Sequence, residues 1–184
     1  KISDDKENEV FVDVTKPKTL DKLENYDVII NLAAEHMDDV FPISKYDQVN
    51  VEGAKNVCNS ARKYGVNEII FTSSVAVYGH TNRKTSESGK INFFNDYGRT
   101  KYEAEKVLWK ISSRTDLEVV VVRLPLVYGY GAKGNLARLI KLVRSGIPLP
   151  LSMIKNQRSM IGIDNLTDLL IRCIDHQKAS GKTF

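Results

Sequence analysis

Tyr97-Gly98-Arg99-Thr100-Lys101 sets a phenol and an ammonium four residues apart. On a helix that spacing brings both groups to one face, where they can enter one site. A phenol ordinarily titrates near 10 and is a poor base at neutral pH. A neighbouring cation favours its ionised form and makes it usable for proton transfer. Alone, the Tyr-x-x-x-Lys spacing also fits an amphipathic surface helix, because a chain with 8 tyrosines and many lysines offers chance matches.

A second feature narrows the choice. Ser73-Ser74 closes the apolar run Glu68–Ser74 (EIIFTSS) and is followed by Val75-Ala76-Val77-Tyr78-Gly79. A strand-end serine hydroxyl can both donate to and accept from a substrate oxygen and a phenol. Paired serines can equally begin a turn. Their conjunction with Tyr97 and Lys101 is hard to obtain by accident if the fold brings strand end and helix together.

The elements that must do this are legible as alternating strands and helices. Residues 27–34 (DVIINLAA), 68–74 and 117–124 (LEVVVVRL) are continuous apolar runs, the mark of strands covered on both faces. Residues 10–13 read as a shorter strand, and residues 18–24 as a brief helix after Pro17. Helical periodicity runs over 47–64, ended by Gly65, and over 97–113, with Ala104, Val107, Leu108 and Ile111 as its stripe. A polar loop, 79–92, separates the second long strand from that helix. Beyond 124 the expectations are a helix at 135–144, a Pro-rich turn at 146–150, a strand at 160–163, and a helix at 165–176 capped by Asp164. Such strand–helix–strand units predict a doubly wound parallel α/β sheet, in which ligands sit at the carboxyl ends of the strands.

Composition adds bounds. The chain has 184 residues, 42% hydrophobic and 27% charged, ordinary for a globular domain. A net charge of +4 suits an anionic ligand or a plain solvated surface alike. Cys58 and Cys173 lie in helical stretches without Cys-x-x-Cys spacing and read as buried small hydrophobes. His36, His80 and His176 are scattered, so no metal site is expected. No apolar run approaches the roughly 20 residues of a membrane span, and residues 1–10 are polar, so a cytoplasmic location without a membrane or nucleic-acid partner is the default expectation.

The segments NLAA (31–34), NVEGAKNVCNSARKYGVNEIIFTSSVAVYG (50–79), YGRTKYEAE (97–105) and VVVVRLPLVYGYG (119–131) resemble the extended short-chain dehydrogenase/reductase family, nearest its nucleotide-sugar epimerase group. The resemblance covers nearly the whole chain. It implies a Rossmann-like dinucleotide-binding domain over 1–130, lacking its first two strands, and a partial substrate-binding lobe over 131–184. It further implies NAD, with NADP possible, and a nucleotide-linked sugar such as a UDP-sugar.

Roles are carried over position by position. Tyr97 matches the catalytic base and acid, Lys101 the residue that holds the nicotinamide ribose and lowers the tyrosine pKa, and Ser74 the hydroxyl that orients the sugar. Ser73 adjoins the cofactor. Asp13 and Val14 match the Asp-aliphatic pair at adenine. Leu32, Ala33 and Ala34 match the strand end along the cofactor, Asn50 the asparagine opening an Asn-x-x-Gly helix motif, and Pro125 to Val127 the loop against the nicotinamide. Asn135, Leu136 and Arg158 match contacts to the sugar diphosphate; an arginine fork suits phosphate. Residues 149–151 match a nucleobase pocket. A homodimer through the helices at 47–64 and 97–113 is also implied.

The chain departs from that pattern in having no Gly-x-x-Gly-x-x-Gly segment and no acidic ribose-binding residue after a second strand. Strands 1 and 2 of such a sheet lie between strands 3 and 4. Residues 10–13, which match strand 3, would then lack a neighbour, and the expectation is that the sequence represents part of a longer protein. Asn95-Asp96 stands where relatives often carry a proline nearby.

Two reactions fit the same residues best. The first is 4-epimerisation of a UDP-linked hexose or N-acetylhexosamine, and the second is reduction of a 4-keto nucleotide sugar. A 4,6-dehydratase fits less well, because Val75 and Ala76 replace that branch's acid pair. A non-catalytic cofactor-binding regulator on the same fold is the third reading, disfavoured by the retention of both Tyr97 and Lys101.

Overall fold

A computed structural model describes residues 9–37, 40–81, 83–131, 135–146 and 157–184. Its centre is a parallel sheet ordered β1 (Val28–Asn31), β2 (Glu68–Ser74), β3 (Glu118–Leu124). The register sets Ile29 beside Ile69, and Ile69 beside Val119. Residues 181–184 run along the other edge of β3, where Val121 N–H donates to the Lys182 carbonyl (3.0 Å) and Phe184 N–H to the Val121 carbonyl (2.9 Å).

The apolar runs are continuous because both faces of these strands are covered. Successive side chains of a strand point to opposite sides. Ile69, Phe71, Val119 and Val121 face one way, into a cluster with Ala54, Val57, Cys58, Ala61, Ala104 and Leu108. Ile70, Val120 and Val122 face the other, against Leu166, Leu170 and Cys173. The result is the helix–sheet–helix layering of a Rossmann-like fold. Both cysteines are buried, and burial pushes the Cys58 thiol up to about 12, so it packs as a hydrophobe.

The first helical layer contains α1 (Ser44–Tyr46), a π-helical stretch Asp47–Glu52, α2 (Gly53–Lys63) and α3 (Asp96–Ser112). Gly53 opens α2 against residue 14: a Cβ there would lie 2.7 Å from Val14 Cγ2, so the close approach requires glycine. Asn56 Nδ2 donates to the Val14 carbonyl (2.9 Å) and holds the approach.

After β3 come β4 (Leu126–Tyr128), α4 (Asn135–Arg144), β5 (Met160–Gly162) and α5 (Ile163–Asp175). Strands β4 and β5 form a separate parallel pair, while α5 returns to cover the second face of the main sheet.

Two expectations are corrected. Residues 10–13 form no strand: Val10, Phe11 and Val12 are exposed. Their neighbour Asp13 is drawn into a turn, its carboxylate accepting from Thr15 N–H (3.0 Å) and Thr15 Oγ1 (2.7 Å). Val14 thereby packs on α2, and residues 10–13 join no sheet edge among the described residues. Asp164 does not cap α5. It lies inside the first turn, and Gly162 is the N-cap without a side-chain bond, leaving Asp164 to act on the helix dipole alone. The Pro-rich turn and residues 149–151 fall largely outside the described residues.

Candidate active site

Ser74 ends β2 in an extended conformation and caps the short 3-10 turn Val75–Tyr78, its Oγ accepting from Ala76 N–H (3.1 Å). That bond fixes the hydroxyl at the carboxyl end of the sheet. Tyr97 reaches it from the first turn of α3, which starts where Asn95 Oδ1 accepts from Gly98 N–H (2.9 Å). Gly98 is the steric condition for this meeting. A Cβ there would stand 2.6 Å from the Ala76 carbonyl oxygen, so only glycine lets the helix start close onto the turn after β2.

The Ser74 hydroxyl stands close enough to the phenol to act on it, and its effect opposes that of burial. Burial raises Tyr97 above its ordinary 10.0, whereas Ser74 lowers it. Burial dominates, so in the protein alone Tyr97 is a protonated phenol at neutral pH.

Lys101 lies one helical turn on and is 1% exposed. Its Nζ sits 4.2 Å from the centre of the Phe71 ring and has neither a hydrogen bond nor an ion pair among the described residues. Desolvation lowers it from 10.5 to about 8, against the field of Glu105. A buried ammonium whose donors lack acceptors fits a ligand rich in oxygen.

The strand-end segment opposite is open. Leu32 is 63% exposed and Ala33 and Ala34 are half-buried, with Ala33 N–H bonded to Asn31 Oδ1 (3.1 Å). Asn50 stands behind it, 1% exposed. Its amide accepts from Glu35 N–H (2.8 Å) and donates to the Glu35 carbonyl (3.0 Å) and Thr100 Oγ1 (2.9 Å). It thus ties the segment after β1 to α3. Ser73 also lies behind the site, its hydroxyl donated to Glu105.

Pro125 is half-buried between β3 and β4. The Asp13 carboxylate, lowered chiefly by its Thr15 bonds, is engaged in its own turn and by Lys16 (3.2 Å). In the distal part, Asn135 begins α4, Leu136 is half-buried and Arg158 is exposed. The geometry brings together Ser74, Tyr97 and Lys101; Arg158 has no hydrogen bond or ion pair to them among the described residues, and the side chain of Asn135 lies outside what is described.

Sequence reasoning missed a buried network beneath the site. Glu105 accepts from Arg123 Nε (3.0 Å) and Nη2 (2.6 Å), and Arg123 Nη1 donates to Tyr78 Oη (2.7 Å) and the Glu87 carbonyl (2.9 Å). The signal was present: Glu105 continues the four-residue series of Tyr97 and Lys101 on a face that also carries Ala104 and Leu108.

The profile of the NAD dependent epimerase/dehydratase family matches residues 2–184. A UDP-glucose 4-epimerase of Vibrio cholerae is 40% identical over 172 residues, covering 88% of this chain and 52% of its own. The N-acetyl-alpha-D-glucosaminyl-diphospho-ditrans,octacis-undecaprenol 4-epimerase of Escherichia coli O157:H7 is 37% identical over 161 residues, covering 86% and 49%. The chain thus spans about half the length of the curated relatives it matches. Among solved structures, a UDP-glucuronic acid 4-epimerase from Bacillus cereus in complex with UDP-glucuronic acid and NAD superposes with a TM-score of 0.82 at 23% identity, over 94% of this chain and 57% of that one. With that profile over nearly its full length, the Ser-Tyr pair closed by Gly98 and the doubly wound sheet beneath it, the chain belongs to the NAD dependent epimerase/dehydratase family.

Proposed function

We propose that the protein of which this chain forms the site-bearing part is an NAD-dependent 4-epimerase of a sugar carried on a diphosphate, with a UDP-hexose as the first substrate to test. One observation carries this reading: the Tyr97 phenol meets the Ser74 hydroxyl at the carboxyl end of a parallel sheet, one helical turn from a buried ammonium that has no hydrogen bond or ion pair among the described residues.

Lys101, the open strand end Leu32 to Ala34, Pro125 and the Asp13-Val14 turn would hold the dinucleotide. Ser73 and Asn50, buried and bonded within the protein, shape that wall from behind. Nicotinamide, when bound, would take the hydride from the sugar's C4 and give it back to the 4-keto sugar, with no net change in the cofactor, and its positive charge would favour tyrosinate. Ser74 orients the C4 hydroxyl, and the Tyr97 oxygen takes its proton. Tyr97 returns that proton once the 4-keto sugar has presented its other face. Asn135, Leu136 and Arg158 would hold the diphosphate from residues 131–184, with the dinucleotide domain, residues 1–130, completed on its second face by α5. The resemblance implies a homodimer across α2 and α3.

A second reading concerns only the carrier. The E. coli relative is named for a sugar on an undecaprenyl diphosphate, so the same C4 chemistry on a polyprenol-linked sugar is the alternative substrate. The test incubates full-length protein and NAD with UDP-glucose, UDP-N-acetylglucosamine and the polyprenyl-diphosphate sugar. C4-inverted product without net cofactor consumption supports epimerisation, and the productive arm names the carrier. Stoichiometric NADPH oxidation by a 4-keto sugar would make it a reductase instead. Tyr97→Phe removes proton transfer and should lower kcat by about 10²–10⁴-fold; unchanged turnover refutes the role.

A further inference from the structure

Tyr97, Lys101 and Glu105 follow one another at four-residue intervals along α3, and the reading above uses only the first two. Glu105 is 1% exposed and cannot rotate freely. Arg123 holds both of its oxygens from β3, and Ser73 donates to it from β2, the residue next to Ser74. Arg123 in turn holds the Tyr78 phenol and the Glu87 carbonyl. The carboxylate is therefore a fixed charge, pinned to two strands and, through Arg123, to the loop that follows β2.

Its free neighbour is Lys101. Beside that ammonium lie the Phe71 ring from β2, 4.2 Å to its centre, and, one turn further along α3, the Glu105 carboxylate, itself held by Ser73 of β2 and Arg123 of β3. The charges on the elements preceding α3 are turned elsewhere: Lys45 pairs with Glu35, Asp47 with Arg99, and Glu52 with Lys55. Among the described residues, Glu105 is the anion whose field opposes the loss of charge that burial imposes on Lys101.

We propose that Glu105 is a positioning residue of the site: clamped by Arg123 and Ser73, it keeps the buried Lys101 ammonium charged for its cofactor. The inference rests on the reading of Lys101 as the cofactor-facing cation. Without the carboxylate, desolvation acts unopposed, and a neutral amine neither holds a ribose diol with three donors nor favours tyrosinate.

The test follows Lys101 itself. Full-length protein carrying ¹³Cε-lysine is titrated by NMR, with the Lys101 signal assigned by its absence from Lys101→Arg. In Glu105→Gln the Lys101 midpoint should fall by about one pH unit or more, and in Glu105→Asp it should stay near the wild-type value. Because Glu105→Gln leaves Arg123 buried without its partner and can fail to fold, Glu105→Gln/Arg123→Met removes the pair together, and there the midpoint should fall in the same direction. NAD affinity by calorimetry should weaken about five-fold at pH 8 in Glu105→Gln and little at pH 6, as a fall of about one unit from a midpoint near 8 requires. A Lys101 midpoint unchanged in a folded variant lacking the carboxylate overturns the proposal. Failure of the wild type to bind NAD while the midpoint still moves would instead reject the cofactor reading and leave the electrostatic coupling standing.

Discussion

Helix α3 carries charge on two sides, and the two sides behave oppositely. On the outer side Arg99 meets Asp47 through both Nη atoms (2.9 Å each), Asp96 (3.0 Å) and Glu103 (2.9 Å), all in groups partly open to water. On the inner side Lys101 is buried with a ring face and the field of a carboxylate that already belongs to Arg123. The outer set has a surplus of acceptors around one cation. The inner set has an ammonium with donors left over. Charge on the outer side finds its partners within the chain; the inner ammonium is left without acceptors among the described residues, at a cost in stability, as the proposed cofactor contact would require.

Substitutions can break that contrast, and their sizes should fall in order. The largest effect is expected at Gly98, on the inner side, because the helix start must move off the Ala76 carbonyl. Gly98→Ala should destabilise by about 3 kcal/mol and separate Tyr97 from Ser74, read as a lower urea midpoint together with lost turnover. Next is Lys101→Met, which should stabilise the fold at pH 7 by about 1–3 kcal/mol while abolishing cofactor binding.

The same lysine predicts a pH signature. The folded chain releases its proton near 8, whereas the unfolded chain keeps it to 10.5. The unfolded state thus binds more protons between those values, and wild-type stability gains across that window relative to Lys101→Met. Urea melts of both proteins at pH 7 and pH 10 measure the gap, which should narrow at the higher pH. The smallest effect belongs to the outer side. A double-mutant cycle of Arg99→Ala and Asp47→Ala should give a coupling of about 1 kcal/mol or less, weakening with salt.

How far the sequence foretold this site follows from what spacing can encode. The apolar runs of β2 and β3 announced strands covered on both faces, and both were found with α2 and α3 on one side and α5 on the other. Tyr97, Lys101 and Ser74 were legible because a helical repeat and a strand end are local facts. The hydrogen bonds of Ser73 and Asn50 were not, since their partners lie 32 and 15 or 50 residues away and no local pattern names them. Residues 10–13 misled for a related reason. β-propensity suggests a strand, but pairing needs an edge, and the Asp13 turn with Val14 under α2 took the chain elsewhere.

The bond from Ala76 N–H to Ser74 Oγ limits what that serine can do. With one lone pair engaged by the backbone, the hydroxyl keeps a single proton and little freedom to swing. It can serve one oxygen as donor at any instant, so in the proposed reaction a sugar hydroxyl and the Tyr97 oxygen would compete for the same hydrogen.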